Sequence, residues 1–312
     1  MDRVTTLTNY NSVIANLMAA EVRQNQAQNQ VSSGKVANDL KGYGVNAEAL
    51  TAANTLKTRV DSYVQTATDL GPQLDSQDSA LTQVSNAGLG ARQAIANAVA
   101  TGSADGLMSS LQSFFSQAVA GLNTQYNGTY LFAGGKVDTQ PVTASQLSDL
   151  TSPPPGGIFQ NDQLVTSSRL DESTTVQTGM LASNVGQNLF NAFSSVEAFT
   201  QGGSGPLSGT LTAAQTSFLT GMMQTFDQAN KGLTDTQATN GLMQNQVSRS
   251  QTTQEDRQTT LQSMIAGITD VDMAQAASRL SQASTALQAS AQVFASLQST
   301  SLLNYLGNVG KG

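Results

Sequence analysis

One stretch limits what this chain can become. Between Thr269 and Leu306, the residues Met273, Ala276, Leu280, Ala283, Leu287, Ser290, Phe294, Leu297 and Ser301 alternate three and four apart. That is the a/d spacing of a heptad. Ala, Gln, Ser and Thr stand between them, almost without charge. The pattern predicts one long helix with a narrow apolar seam. Thr269 and Asp272 read as its start, a hydroxyl cap followed by an acid in the first turn. A helix cannot bury a seam on itself, so this one needs a partner, from the same chain or from another copy.

The opening stretch has the matching need. Arg3 to Val31 reads as a helix in which Leu7, Tyr10, Ile14 and Leu17 take up the alternation, and Glu21, Gln24 and Gln28 continue it in polar form. Two readings stand side by side: a coiled coil made from the two ends, or a bundle in which both ends pack on a common core.

The residues between them are poor material for one thick core. Of 312 residues only 5% are aromatic and 11% charged. Such a chain suits long helices that meet through small side chains. The net charge of −7 and the lack of a basic run argue against nucleic acid as a partner. No stretch of about 18 apolar residues is present to span a membrane. No basic start followed by an apolar run marks a secretory signal. With no Cys and no His, disulfides, Cys/His zinc sites and Ser-His-Asp or Cys-His catalysis are excluded. No cofactor is expected.

A second heptad run extends from Ala49 to Ala98, with Gln77 and Gly88 its weak positions. It continues through Pro72, which is expected to kink the helix or start a new segment. At 1.5 Å per residue the run makes a rod on the order of 80 Å. Leu107, Leu111, Phe114, Ala118 and Leu122 predict a third helix folded back antiparallel on the second. Asn127-Gly128 is a turn signal, and Asn127-Gly128-Thr129 also fits a glycosylation acceptor.

From Val137 to Leu181 the character changes. Pro153 to Gly157 breaks regular structure. Gln163 to Leu170 and Ser173 to Leu181 read as a hairpin across Asp171-Glu172. That acid pair reads first as the turn and second as a metal or catalytic site. Helices resume at Asn184 to Phe199, Thr212 to Gly232 and Thr234 to Ile265. Met222, Met223 and Met243 suggest a packing stripe before a ligand groove, and Glu255-Asp256-Arg257 a solvated face. The fold class is therefore mainly α, a long helical rod with a discontinuous terminal coiled coil and a small β-rich insertion.

Several of these segments resemble one family. Val31-Ser32-Ser33-Gly34-Lys35 is similar to the Leu-Ser-Ser-Gly signature that follows the first helix of the bacterial flagellin superfamily. Arg92 with Ala94-Ile95 falls where that family has Arg-Glu-Leu, with Gln93 in place of the Glu. Asp39 to Val45 stands where the family has Asp-Asp-Pro or Asp-Asp-Ala. Gly128 to Gly134 resembles the Gly-x-Tyr-Leu-Phe-x-Gly of the hook–filament junction branch, and Asn184-Val185-Gly186-Gln187 the element after its β insertion. Ile268 to Ala274, Leu287 to Ser290 and Ser301 to Leu306 resemble the carboxyl-terminal signature.

The resemblance implies a division into a terminal coiled-coil domain (1–42 with 268–306), a helical rod domain (43–135 with 182–267), a β-rich insertion (136–181) and a tail (307–312). It implies an extracellular axial protein of the flagellum, exported unfolded by the flagellar type III apparatus with a chaperone. Its partners would be further copies in a helical ring or stack, another hook-associated protein on the hook side and flagellin on the filament side. The expected assembly residues are Leu280, Leu287, Phe294 and Leu297 along the inner seam, Leu7, Ile14 and Leu17 across from them, and Leu302, Leu303, Tyr305 and Leu306 as a terminal anchor. A filament flagellin and a secreted coiled-coil binding module are the alternatives. An enzyme working through Asp171, Glu172, Asp270 and Asp272 is a third.

Overall fold

The computed structural model describes residues 2–151 and 155–309. Among them are six helices: α1 Asp2–Ser33, α2 Ala47–Thr101, α3 Leu107–Leu122, α4 Ala182–Gln201, α5 Ala213–Thr269 and α6 Met273–Val309. The strands are short: β1 Gln125–Tyr126, β2 Thr129–Tyr130, β3 Ser167–Arg169 and β4 Thr175–Gln177. Contacts group the chain into two compact units, Met1–Arg59 with Gln258–Gly312, and Val60–Arg257.

Within Val60–Arg257, α2 and α5 run antiparallel. Gln251 reaches Thr68, Gln244 reaches Asp75, Asn240 donates to the carbonyl of Leu74 and Gln237 reaches Thr82. Arg92 then meets Asp227 at 3.2 Å. The sum of paired residue numbers stays nearly constant, as a straight antiparallel pair requires. Pro72 lies inside α2, which has 55 residues, so no new segment starts there. Leu70 and Leu74 are buried on either side of it, and the seam outweighs one missing backbone hydrogen bond.

The two helices expected between Thr212 and Ile265 are one, α5, of 57 residues. Phe226, Ala229, Leu233, Asn240, Met243 and Val247 keep one buried face along it. Met222 belongs to the large core and Met243 to a smaller cluster, so these methionines pack in separate places.

Helix α3 lies along α2. A Cβ on Gly121 would stand 2.7 Å from the side chain of Val84, and Gly90 faces Phe114 in the same way, so two glycines set how closely the helices approach. The deeper aromatic of α3 is Phe115, not Phe114 as the spacing suggested; Phe115 is fully buried. Its ring centroid lies 5.2 Å from Phe190 and 5.6 Å from Phe193 of α4, and Phe193 lies 5.1 Å from Phe226 of α5. This aromatic cluster welds α3, α4 and α5, each pair adding about 0.5–1.5 kcal/mol beyond its burial.

Asn127 and Gly128, at φ 48 and 80, make the two-residue turn that joins β1 to β2. The second hairpin pairs Ser167 to Arg169 with Thr175 to Gln177. It is tied down by Leu170 and Val176, which pack with Ala67, Leu70 and Leu74 of α2 and Met243 and Val247 of α5. At its tip the Asp171 carboxylate accepts from the amides of Ser173 and Thr174. The Ser173 bond leads a set that lowers its pKa to about 2. Asp171 is thus a turn residue, as the first reading of that pair had it.

Candidate assembly surface

The other unit is built from the two ends of the chain. Helices α1 and α6 lie against each other and run antiparallel: the ring of Tyr10 lies tilted 5.5 Å from that of Phe294, Gln24 donates to Ser284 at 3.4 Å, and Lys35 bridges Asp270.

The contact is closed at one end by a clasp. Gly34, at φ 67, turns the chain out of α1, a conformation that glycine adopts without penalty. Its carbonyl accepts from the amide of Val271, and the amide of Val36 donates to the carbonyl of Thr269. The Lys35 ammonium then sits 2.5 Å from the Asp270 carboxylate and 3.3 Å from the Thr269 hydroxyl. Donation from Lys35, and after it from Thr269, holds the pKa of Asp270 below the usual carboxylate value. The sequence put the start of the last helix at Thr269. Thr269 instead ends α5, and the cap of α6 is Asp272, which accepts from the amides of Ala274 and Gln275.

Along α6 the residues turned toward α1 are Ala276, Leu280, Ala283, Ser284, Leu287, Ser290, Phe294 and Leu297. Met273, expected on the same seam, is 49% exposed, because it stands at the helix start beside the clasp. On α1 the inward residues are Val13, Ile14, Leu17, Ala20, Gln24, Ala27 and Val31. Glu21 and Gln28, which the spacing placed inward, are exposed. The heptad passes through Ala20 and Ala27 instead, only 3% and 6% exposed. Their seven-residue spacing was the available signal, masked by the longer polar side chains beside them.

Of the expected interface residues, Ile14, Leu17, Leu280, Leu287, Phe294 and Leu297 therefore share one seam, and each is only half-buried. Leu7, Leu302, Leu303, Tyr305 and Leu306 lie on the α1 and α6 backbones, but their side chains fall outside the described residues. Two helices alone cannot enclose side chains of this size. The outer surface also carries apolar groups: Met18 is 62% exposed, Val22 54% and Val293 50%.

The acids show no common site. Asp270 is in the clasp, Asp272 caps α6 and Asp171 closes a hairpin. Among the described residues no three acidic, His or Cys side chains gather where a metal ion would sit.

Residues 223–306 match the family of the bacterial flagellin C-terminal helical region. This part of the chain is similar to the carboxyl-terminal region of flagellins. The matched stretch takes in all but the first ten residues of α5, the clasp around Asp270 and most of α6. The fold extends the likeness. A solved structure from Vibrio parahaemolyticus, assigned as a flagellar hook-associated protein, aligns with 72% of this chain and 97% of its own, at a TM-score of 0.58 and 15% identity. Bacillus cereus FlgL aligns with 69% of this chain and 98% of its own, at a TM-score of 0.51 and 13% identity. At these identities the likeness is one of fold. Comparison with curated protein sequences found no significant match. No described helix is long and apolar enough to cross a membrane.

Proposed function

We propose that this chain is a structural axial protein of the bacterial flagellum, placed outside the cell and joining the hook to the flagellin filament. The observation that carries the reading is the α1–α6 pair, two ends of one chain that meet on a seam left half-open. Surfaces of this kind are completed by neighbours, and copies related head to tail build an open helical stack. The flagellin region and the shared fold of two flagellar proteins support the same reading.

In this reading, residues 1–42 with 268–306 form the inner domain, 43–135 with 182–267 the rod, and 136–181 the outward insertion. Leu7, Ile14, Leu17, Leu280, Leu287, Phe294 and Leu297 act in assembly, with Leu302, Leu303, Tyr305 and Leu306 as anchor. The chain leaves the cell unfolded through the flagellar export apparatus, escorted by a chaperone. Its terminal helices order fully only when neighbours supply the missing walls. It contacts another hook-associated protein on one side and flagellin on the other, and it does no catalysis.

A filament flagellin is the second reading, favoured by the match of residues 223–306 to flagellins. Electron microscopy of cells lacking the chain, with the medium assayed for flagellin, separates them. Hooks without filaments, and flagellin lost to the medium, are expected. Filaments of normal length would overturn the junction role.

A further inference from the structure

The α1–α6 pair is almost free of charge. From Tyr10 to Ser33 and from Met273 to Gln298 the charged residues are Glu21, Arg23 and Arg279. Their placement is not random. Arg23 of α1 and Arg279 of α6 line the same groove, about 460 Å³, on one flank of the pair. Its floor is small: Ala27, Ala283 and Ala286, with Gln30 at the edge. The Arg279 guanidinium donates to Gln275, and no carboxylate of the described chain pairs with either arginine. Two like charges across one flank of an antiparallel pair repel unless an acid comes from outside.

The acid stands on the other flank. Glu21 precedes Arg23 by two residues, which turns it about 200° around the helix. It lies in an exposed stripe with Met18, Val22 and Asn25, neighbours at spacings of three and four. One flank is thus a basic groove with an alanine floor. The opposite flank is a ridge of two exposed apolar side chains around one carboxylate.

We propose that the Met18–Glu21–Val22 ridge of one copy docks into the Arg23–Arg279 groove of the next. Met18 and Val22 fill the space that the alanines leave, and Glu21 sits between the two guanidinium groups. A carboxylate leaving water for two arginines is a charge-assisted contact, and its role is to fix the register between copies. Groove and ridge are different surfaces of one chain, so the contact is head to tail and repeats from copy to copy. This rests on the assembly reading above and names the surfaces that would carry it.

The test uses the absence of cysteine. Full-length chain with Val22→Cys and Ala286→Cys is expressed in cells lacking the native copy. The surface appendages are sheared off and oxidised, and gold-labelled antibody locates the chain on them. A ladder of disulfide-linked oligomers is expected. Adding Glu21→Arg is expected to weaken the ladder roughly tenfold, and adding Arg23→Glu with Arg279→Glu to that variant is expected to restore it. Circular dichroism of each purified variant confirms unchanged helix content. A chain located on the hook without a ladder, or with a ladder indifferent to Glu21→Arg, would overturn this contact and leave the junction reading standing. A chain missing from the appendages would overturn both.

Discussion

Asp270 is a more acidic group than a free aspartate because Lys35 and Thr269 donate to its charged form. A carboxylate whose folded pKa lies below its unfolded value stabilises the fold above the unfolded value, and that contribution is lost as pH falls further. Here the window opens at the ordinary value of 3.8 and runs downward. Asp270→Asn is therefore expected to speed hydrogen exchange at the amides of Val36 and Val271, which close the clasp. The difference from the native chain should be full at neutral pH and should vanish as pH drops well below 3.8. An equal effect at all pH values would mean that shape, not charge, holds the clasp.

At the scale of elements, the two units answer mutation differently. Phe115 is packed by α3, α4 and α5 at once. Phe115→Ala is expected to cost about 3–5 kcal/mol in chemical denaturation. Leu287, half-buried on the α6 seam, should cost the purified chain less than about 2 kcal/mol when cut to alanine. Its effect should appear in assembly instead, as loss of the chain from isolated appendages.

The α2–α5 pair gives a change of opposite sign. Gln77 is 1% exposed and both atoms of its amide lack a hydrogen-bond partner. Gln77→Leu is expected to stabilise by about 1–3 kcal/mol, read as a rise in melting temperature. A fall would mean that ordered water satisfies the amide.

The heptads made most of these helices legible, because a seam repeats and repetition survives single departures. Gln77 shows as a weak position in that repeat, and it is indeed a buried polar side chain. What pattern could not show was contact between distant elements. Nothing local marks Lys35 as the partner of Asp270, or Arg23 as the neighbour of Arg279. The join of two expected helices into α5 was hidden by Gly232 and the threonines around it. Thr234 and Thr236 turn their hydroxyls back onto the helix at Asn230 and Gly232 and so remain inside it.

For the molecule as a whole, each unit has its own resistance to opening. Val60–Arg257 holds the continuous cluster from Ala80 to Leu233. In the terminal unit, α1 and α6 bury only alanines completely among their described residues. Local opening follows such differences. Trypsin is expected to cut the purified chain at Arg23 and Arg279 before it cuts at Arg92 or Lys231, as mass spectrometry of the first fragments would record. Early cuts at Arg92 would contradict this ordering of stabilities.

The hydrogen bond between Gln24 and Ser284 joins residues 260 apart. A ribosome adds about 5–20 residues per second, so the first helix waits tens of seconds before the segment it pairs with exists. Closing so long a loop is slow as well as late. The newborn chain thus carries a built-in delay, during which its leading segment remains a loose thread. The order of synthesis keeps α1 available to whatever captures it until α6 has been made.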